Sequence, residues 1–408
     1  MPQRAPAADL PAELARLRRE SLYRARRVLE SPQGVHPIVD GHRILSFCSN
    51  DYLGLAAHPV VAAALCEGVE RYGVGSGAAH LISGHSEAHR RLEMDLADFT
   101  GRPRALLFST GYMANLGVIS VLCARGSHVY ADRLNHASLN DGARLAGVRL
   151  KRYPHRDMAA LERMSAGTAA ALFVTDGVFS MDGDIAPLSQ LAGLAQATGA
   201  ALMVDDAHGL GVVGRAGRGT LDLLGMDDQE VPILVGTLGK AFGTFGAFVA
   251  GSEDLIETLI QRARSYIYTT ALPPAVAHAT SAALALAVRE DWRRDHLARL
   301  IARFRDGAAA LDLPLMESRT PIQPLLAGDS RRALEWSRFL ETNGVLVAAI
   351  RPPTVPDGAA RLRITLSAAH QEEDIDRLVE LLARLPDQKG RVPRAEGHGR
   401  SKDIEVGE

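Results

Sequence analysis

Ala200-Ala201-Leu202-Met203-Val204-Asp205-Asp206-Ala207-His208-Gly209, followed one strand-and-loop length later by Val235-Gly236-Thr237-Leu238-Gly239-Lys240-Ala241-Phe242-Gly243, decides how the rest of the chain reads. Each segment starts as a short apolar run and ends on small residues that carry a titratable side chain. A strand covered on both faces needs such a continuous apolar run, whereas a strand with one wet face alternates. The same form recurs at 104–108, 127–131, 170–176 and 247–250, with amphipathic helical stretches at 59–71 and 86–100 and a long helix opened by Pro273-Pro274. Apolar strands separated by helices predict an α/β fold with a mostly parallel central sheet flanked by helices. Strands near 321–325, 345–350 and 362–366 among further helices predict a smaller α/β C-terminal domain.

Working outward, residues 11–29 have helical periodicity with a basic face, and Ser31-Pro32-Gln33-Gly34 breaks the chain before a strand-turn-strand at 38–47. The expected organisation is an N-terminal arm over 1–48, a large domain over 49–280, a small domain over 281–385 and a disordered polar tail over 386–408. With 408 residues, 47% of them hydrophobic, the chain can bury a substantial core. Lys and Arg number 46 against 48 Asp and Glu, so no basic field exists of the kind that nucleic acid or an anionic membrane selects. Cys48, Cys66 and Cys123 are widely spaced, with no Cys-x-x-Cys pair, which suits a reducing cytoplasm. No apolar leader follows Met1 and no stretch approaches the roughly 20 apolar residues of a membrane span, so a soluble cytoplasmic protein is expected.

In open α/β sheets, ligands gather at the loops beyond the carboxyl ends of the strands. Ser109-Thr110-Gly111-Tyr112, Asp132-Arg133-Leu134-Asn135-His136, Asp176 to Ser180, Asp205 to His208 and Thr237 to Lys240 all fall there. A lysine among small residues, preceded by Asp-x-Ala-His, meets the needs of pyridoxal 5'-phosphate. The amine condenses with an aldehyde, the acid keeps the ring nitrogen protonated, and the glycines let a bulky ring approach the backbone. Asp205, the first acid after its strand, takes the ring-nitrogen role, while Asp206 suits a helix cap.

Three other motifs fail. Gly73-Val74-Gly75-Ser76-Gly77-Ala78 lacks the last glycine of a dinucleotide fingerprint and follows a helix. Gly239-Lys240 ends like a phosphate-binding loop, but Ala241 stands where Ser or Thr would hold magnesium. His85-Ser86-Glu87-Ala88-His89 has the histidine spacing of a zinc protease, yet Ser86 occupies the place of its catalytic glutamate, and no metal is expected.

Ser49-Asn50-Asp51-Tyr52-Leu53-Gly54-Leu55, Gly75-Ser76-Gly77, Asp132 to Ser138, Gly177 to Asp184, Val204 to Gly209 and Gly239 to Gly243 occur in one order. Together, from about Leu22 to Leu385, they resemble the α-oxoamine synthases, fold-type I pyridoxal phosphate enzymes that share one large sheet and a small C-terminal domain. The resemblance implies that Lys240 carries the cofactor and later acts as base, and that Asp205 pairs with the ring nitrogen. His208 and Ser180 then meet the ring's phenolic oxygen, and His136 lies over the ring face, although from the residues alone His136 could equally cap a helix. It further implies that Gly111, Tyr112 and Thr237 hold the phosphate, that Thr269 reaches the phosphate of a neighbouring subunit in a homodimer, and that Asn50 lines the substrate pocket. Arg351, stiffened by the prolines after it, and Arg24 are the expected forks for the amino acid's carboxylate, with Thr354 in the same substrate set. Arg26 and Arg27 flank Arg24 and leave its register open. Ile350-Arg351-Pro352-Pro353-Thr354-Val355-Pro356 points within the family to the member that joins L-alanine to a pimeloyl thioester, carried on coenzyme A or on an acyl carrier protein. Sister enzymes that use glycine or serine, a non-catalytic partner subunit and an aminotransferase are the alternatives.

Overall fold

The computed structural model describes residues 9–20 and 22–386. Helix α1 (Leu10–Arg19) opens it, and the short strands β1 (Ile38–Val39), β2 (His42–Arg43) and β3 (Leu45–Ser46) follow. The helix ends ten residues before the expected 29, because residues 28–30 pair with β1 instead. Glu30 N–H donates to the Ile38 carbonyl and Asp40 N–H to the Val28 carbonyl, both at 2.9 Å. Strand pairing therefore overrides a periodicity that reads as helix.

Seven strands form the main sheet: β4 (Arg104–Phe108), β5 (His128–Asp132), β6 (Arg149–Tyr153), β7 (Ala170–Asp176), β8 (Ala201–Asp205), β9 (Ile233–Thr237) and β10 (Ala247–Gly251). Their order is β4-β10-β9-β8-β7-β5-β6, with β10 antiparallel to both neighbours and every other pairing parallel. The expected mostly parallel sheet is present. Strand β6 has no counterpart in the sequence reading because Arg149-Leu150-Lys151-Arg152-Tyr153 is an edge strand. Its cationic side chains break the apolar run and discourage further strand addition.

One face of the sheet packs on helices through Leu106, Val129, Val174, Met203, Val235 and Val249. The other face contributes Phe173, Leu202 and Val204 to a second cluster closed by Leu188, Leu191 and Ala195. Helices α2 (Pro59–Tyr72), α3 (Glu87–Thr100), α4 (Gly111–Leu122) and α5 (Ala137–Leu145) bear on the sites below, and α4 and α5 lie on the first of these faces. The C-terminal layer is an antiparallel sheet of β11 (Ile322–Gly328), β14 (Ala360–Thr365) and β13 (Ala348–Ile350), while β12 (Val345–Leu346) pairs in parallel with β3. The single strand expected at 345–350 is thus split at Val347, where the chain changes sheets. The largest apolar cluster runs from Leu45 and Phe47 through α3 and Phe304 to Leu362 and Leu382, joining this layer to the flank of the main sheet. The tail expected beyond 386 lies outside the described residues.

Candidate active site

Parallel register brings the strand ends to one level. Asp176 pairs with Asp205 across β7 and β8, and Asp205 with Val235 across β8 and β9, so the segments after each emerge side by side. Asp205 is 6% exposed, and its carboxylate accepts from Asn115 Nδ2 at 2.7 Å and from Ala207 N–H at 3.2 Å. Asn115 comes from the second turn of α4 and also donates to Ser138 Oγ at 2.8 Å. Among the described residues no Lys or Arg pairs with Asp205 within ion-pair distance, so a buried acid is held only by neutral donors. Its neighbour Asp176 accepts from His136 N–H at 2.8 Å; burial first, and then the Asp205 charge, push its carboxyl well above the usual range.

Lys240 lies in the turn after β9, three residues past Thr237. Its Nζ is 2.9 Å from His208 Nε2, and His208 Nδ1 is 2.6 Å from the Tyr52 hydroxyl. Tyr52 in turn donates to Asn50 Oδ1 at 3.2 Å. This direction of donation assigns the tautomer: His208 carries its proton on Nδ1 and presents the Nε2 lone pair to Lys240. Burial, followed by the Lys240 and Arg363 charges, holds the His208 pKa well below its ordinary value, which keeps the ring neutral. Burial also lowers Lys240 to about 8, with Asp205 and Asp176 opposing that shift and Arg363 adding to it. Roughly a tenth of the amine is therefore neutral at pH 7, far more than for an ordinary lysine, which suits a nucleophile or a proton acceptor.

Arg363 is the residue that the sequence reading missed. It sits on β14, 6% exposed, with Nε donating to the Ser180 carbonyl at 2.6 Å, Nη1 to Thr365 Oγ1 at 3.2 Å and Nη2 to Asn50 Oδ1 at 3.2 Å. No carboxylate pairs with it among the described residues, whereas Arg361, two residues earlier on the same strand face, is neutralised by Asp182 at 2.8 Å. A signal existed: Ala360-Arg361-Leu362-Arg363-Ile364-Thr365-Leu366 alternates charge with apolar residues inside a strand whose every position is buried.

The other expected residues are placed as follows. His136 caps α5, with its Nδ1 accepting from Ser138 N–H at 3.3 Å and lying 2.7 Å from Ser138 Oγ, and it lines a cavity of about 600 Å³ with Ser180 and Thr354. Gly111 and Tyr112 are the first two residues of α4, whose N–H groups have no intrahelical acceptor, since Thr110 Oγ1 takes Met113 N–H. Thr237 Oγ1 donates to the Gly246 carbonyl at 3.2 Å and closes the end of β9. Lys240, Asn50 and Cys48 share a cavity of about 570 Å³, and burial lifts the Cys48 thiol to about 11, so it stays protonated there.

Arg24, Arg351 and Thr354 line a different cavity, of about 640 Å³, which Lys240 does not reach. Arg24 Nη2 donates to Thr354 Oγ1 at 3.4 Å, while Arg27 is taken by Glu341. Thr269 follows the short helix Arg264–Ile267, and among the described residues no hydrogen bond ties it to the Lys240 group.

A family model described as aminotransferase class I and II matches residues 42–382. The 8-amino-7-oxononanoate synthase of Nitrosococcus oceani is 63% identical over 375 residues, covering 91% of this chain and 100% of that protein. Its namesake from Pseudomonas aeruginosa PAO1 is 61% identical, covering 92% and 94%. The chain belongs to the class I and II aminotransferase family, in the 8-amino-7-oxononanoate synthase branch.

Solved members of this family share the fold. A serine palmitoyltransferase from S. paucimobilis, solved with bound PLP and myriocin, superposes with a TM-score of 0.86 at 29% identity, covering 92% of this chain and 96% of that one. The 8-amino-7-oxononanoate synthase of Francisella tularensis gives 0.75 at 33% identity, covering 84% and 97%. The architecture is thus fold-type I, and the cofactor is pyridoxal 5'-phosphate. This chain's own residues fit that group. A buried carboxylate without a cation and a buried guanidinium without an anion flank a partly deprotonated lysine, and the start of a helix lies beside them. The branch makes the chain a pyridoxal phosphate-dependent acyltransferase of biotin biosynthesis. None of the helices among the described residues is long and apolar enough to cross a membrane.

Proposed function

We propose that this chain condenses L-alanine with a pimeloyl thioester, releasing carbon dioxide and the thiol, in a homodimer. The observation that carries the reading is a buried Lys240 whose amine feels the charges of two buried groups, Asp205 and Arg363, neither of which has an ion-pair partner among the described residues. When bound, pyridoxal phosphate supplies an aldehyde that takes up an amine and a ring that accommodates the electrons of a broken C–H or C–C bond. Asp205 would stand against the ring nitrogen, with Asn115 holding its carboxylate in place. Gly111 and Tyr112 N–H at the start of α4, together with Thr237, would meet the phosphate. Ser180 and His208 would meet the phenolic oxygen, and His136 would form the wall above.

Arg363 then replaces Arg351 as the fork for the alanine carboxylate. It is a buried cation with no carboxylate partner among the described residues, and Asn50 holds it beside the Lys240–His208 pair. Lys240 Nζ would accept the α-proton, and His208 Nε2, fixed through Tyr52, would orient that amine. Arg24, Arg351 and Thr354 would take the acyl donor. The side-chain Nε of Arg351 is buried without an acceptor, and the neighbouring Arg24 charge adds to burial in lowering the Arg351 pKa, so their cavity favours an anion such as the far carboxylate of a pimeloyl chain. Closing such a cavity keeps water from the thioester.

The domain division at about 49, 281 and 386 belongs to the same proposal, as does a dimer in which Thr269 faces the partner's phosphate. Val74 (77% exposed), Ile82 (80%) and Tyr268 (71%) form its apolar face, since Ala271 N–H donates to the Ala78 carbonyl and joins their segments. Lys240→Ala tests the chemistry: loss of both borohydride-trapped cofactor and turnover is expected, and a normally active variant refutes it. Thiol release with alanine, glycine and serine against pimeloyl, acetyl and succinyl thioesters tests the substrates. Activity confined to glycine or serine overturns the alanine assignment.

A further inference from the structure

Away from the Lys240 cavity, the segment set aside in the sequence as a failed protease motif folds into a compact group of three histidines. A single turn of π-helix, His80–Gly84, places residue 80 over residue 85, so that His80 Nδ1 and His85 Nδ1 lie 3.0 Å apart. The turn is specified by Gly84, whose N–H reaches the Ala79 carbonyl five residues back, and where an added Cβ would meet the Ala78 carbonyl oxygen at 2.1 Å. One α-helical turn on, His89 brings its ring within 5.0 Å of His80 and 5.5 Å of His85. One nitrogen from each ring lies within 4.8 Å of the other two. His80 and His89 are buried, and the group opens to the surface at His85.

We propose that His80, His85 and His89 bind a divalent transition-metal ion of the zinc class through their Nδ1 atoms. Two rings that face each other through the same type of nitrogen at 3.0 Å can share only one proton between them. A zinc ion with bonds of about 2.0–2.1 Å needs two such lone pairs at a similar spacing. Metal binding would move that proton to Nε2, and for His85 that atom already faces Glu93 Oε2 at 3.9 Å. His89 is oriented in the same way: its Nε2–H donates to the Leu272 carbonyl at 2.5 Å, which leaves the Nδ1 lone pair directed back toward Ser86. A ring N–H given to a backbone carbonyl or a carboxylate is the usual means of aiming a metal-binding histidine.

His80 is clamped by Tyr266, stacked at 4.9 Å and 10° between planes. Burial holds the His80 pKa near 3 and lowers those of His85 and His89, so all three rings are neutral and able to ligate at physiological pH. The ion would replace the hydrogen bonds that His89 Nδ1 takes from Ser86 at the start of α3, and would tie that helix to the Leu272 segment, three residues from Thr269. This site is independent of the condensation chemistry and would be structural.

The test is titration of the intact holoenzyme with Co2+ and Zn2+, following the visible d–d bands of cobalt and the melting temperature. One equivalent of cobalt per chain with tetrahedral band intensity, displaced by zinc, is expected. His85→Gln should abolish the bands while the cofactor's own absorbance persists, and Glu93→Gln should weaken binding by roughly 10- to 100-fold. His85 is the exposed member, so its variant folds without disturbing the core. Absence of tetrahedral cobalt bands in the wild type, or bands that survive His85→Gln unchanged, overturns the proposal.

Discussion

Replacing Arg363 by Gln separates the geometry found here from the one the sequence suggests. In the folded chain the Arg363 guanidinium is buried, bonded to Ser180 O and Asn50 Oδ1, and without a carboxylate. If it meets the alanine carboxylate, the variant leaves a buried anion facing a neutral amide. Truncating one partner of such a buried charge pair costs about 2–5 kcal/mol, which corresponds to a rise in the alanine KM of roughly 30-fold to a few thousand-fold. Losing the donor to the Ser180 carbonyl costs a further ~1–3 kcal/mol of stability, while Asn50 Oδ1 keeps the Tyr52 hydroxyl.

Two controls share the same fold. Arg361→Gln breaks the buried pair with Asp182 and should destabilise by about 3–5 kcal/mol while leaving the alanine KM of the folded fraction alone. Arg351→Gln should raise the thioester KM instead. The assay varies alanine at saturating thioester, then the reverse, with cofactor absorbance and melting temperature measured on the same samples. An alanine KM for Arg363→Gln within about threefold of the wild type, or a large rise for Arg351→Gln alone, would refute the assignment.

Turnover should fall with an acid limb near pH 8, the value to which burial brings the Lys240 amine. At pH 7.5 roughly a quarter of that amine is neutral, against about a thousandth for an ordinary lysine, and a rate flat between about pH 6 and 9 would contradict the base role. Burial raises Asp206 to about 7 from an ordinary 3.8, so the folded state favours its protonated form. That contribution, about 4 kcal/mol, is full below about pH 3.8 and lost as pH rises through about 7. The melting temperature of Asp206→Asn should therefore improve relative to the wild type between about pH 5 and 8, and a constant difference would sink this account. Gly243→Ala should cost about 2 kcal/mol or more and impair cofactor retention. Gly243 has φ +66°, and a Cβ there meets Ala56 N at 2.4 Å in the turn that carries Lys240; unchanged thermal melting would refute it.

Much of the main sheet was legible because its strands are buried on both faces, which writes a continuous apolar run into the chain. Strands 104–108 and 170–176 are found at the expected residues and the other expected strands of this sheet within one. The cationic edge strand β6 and the arm at 22–30 were not legible. An edge strand needs no apolar run, and the arm pairs with a partner eight or more residues away only after folding. Asn50, Lys240, Asp205 and His208 could be singled out because each follows a recognisable run. The links that join them through Tyr52 could not.

What the sequence determined by itself was the order of strand, turn and titratable residue. Apolar runs must be buried and the residues that end them must emerge at one edge of the sheet, so the class of chemistry was already written there. What only the tertiary structure decided was which charges remain unpaired. Arg361 and Arg363 are equivalent in sequence, two positions apart on one strand face. Asp182, 179 residues from Arg361, neutralises one and leaves the other facing Asn50. Charge compensation depends on distance in space, and a partner so far along the chain comes within reach only when the two sheets pack.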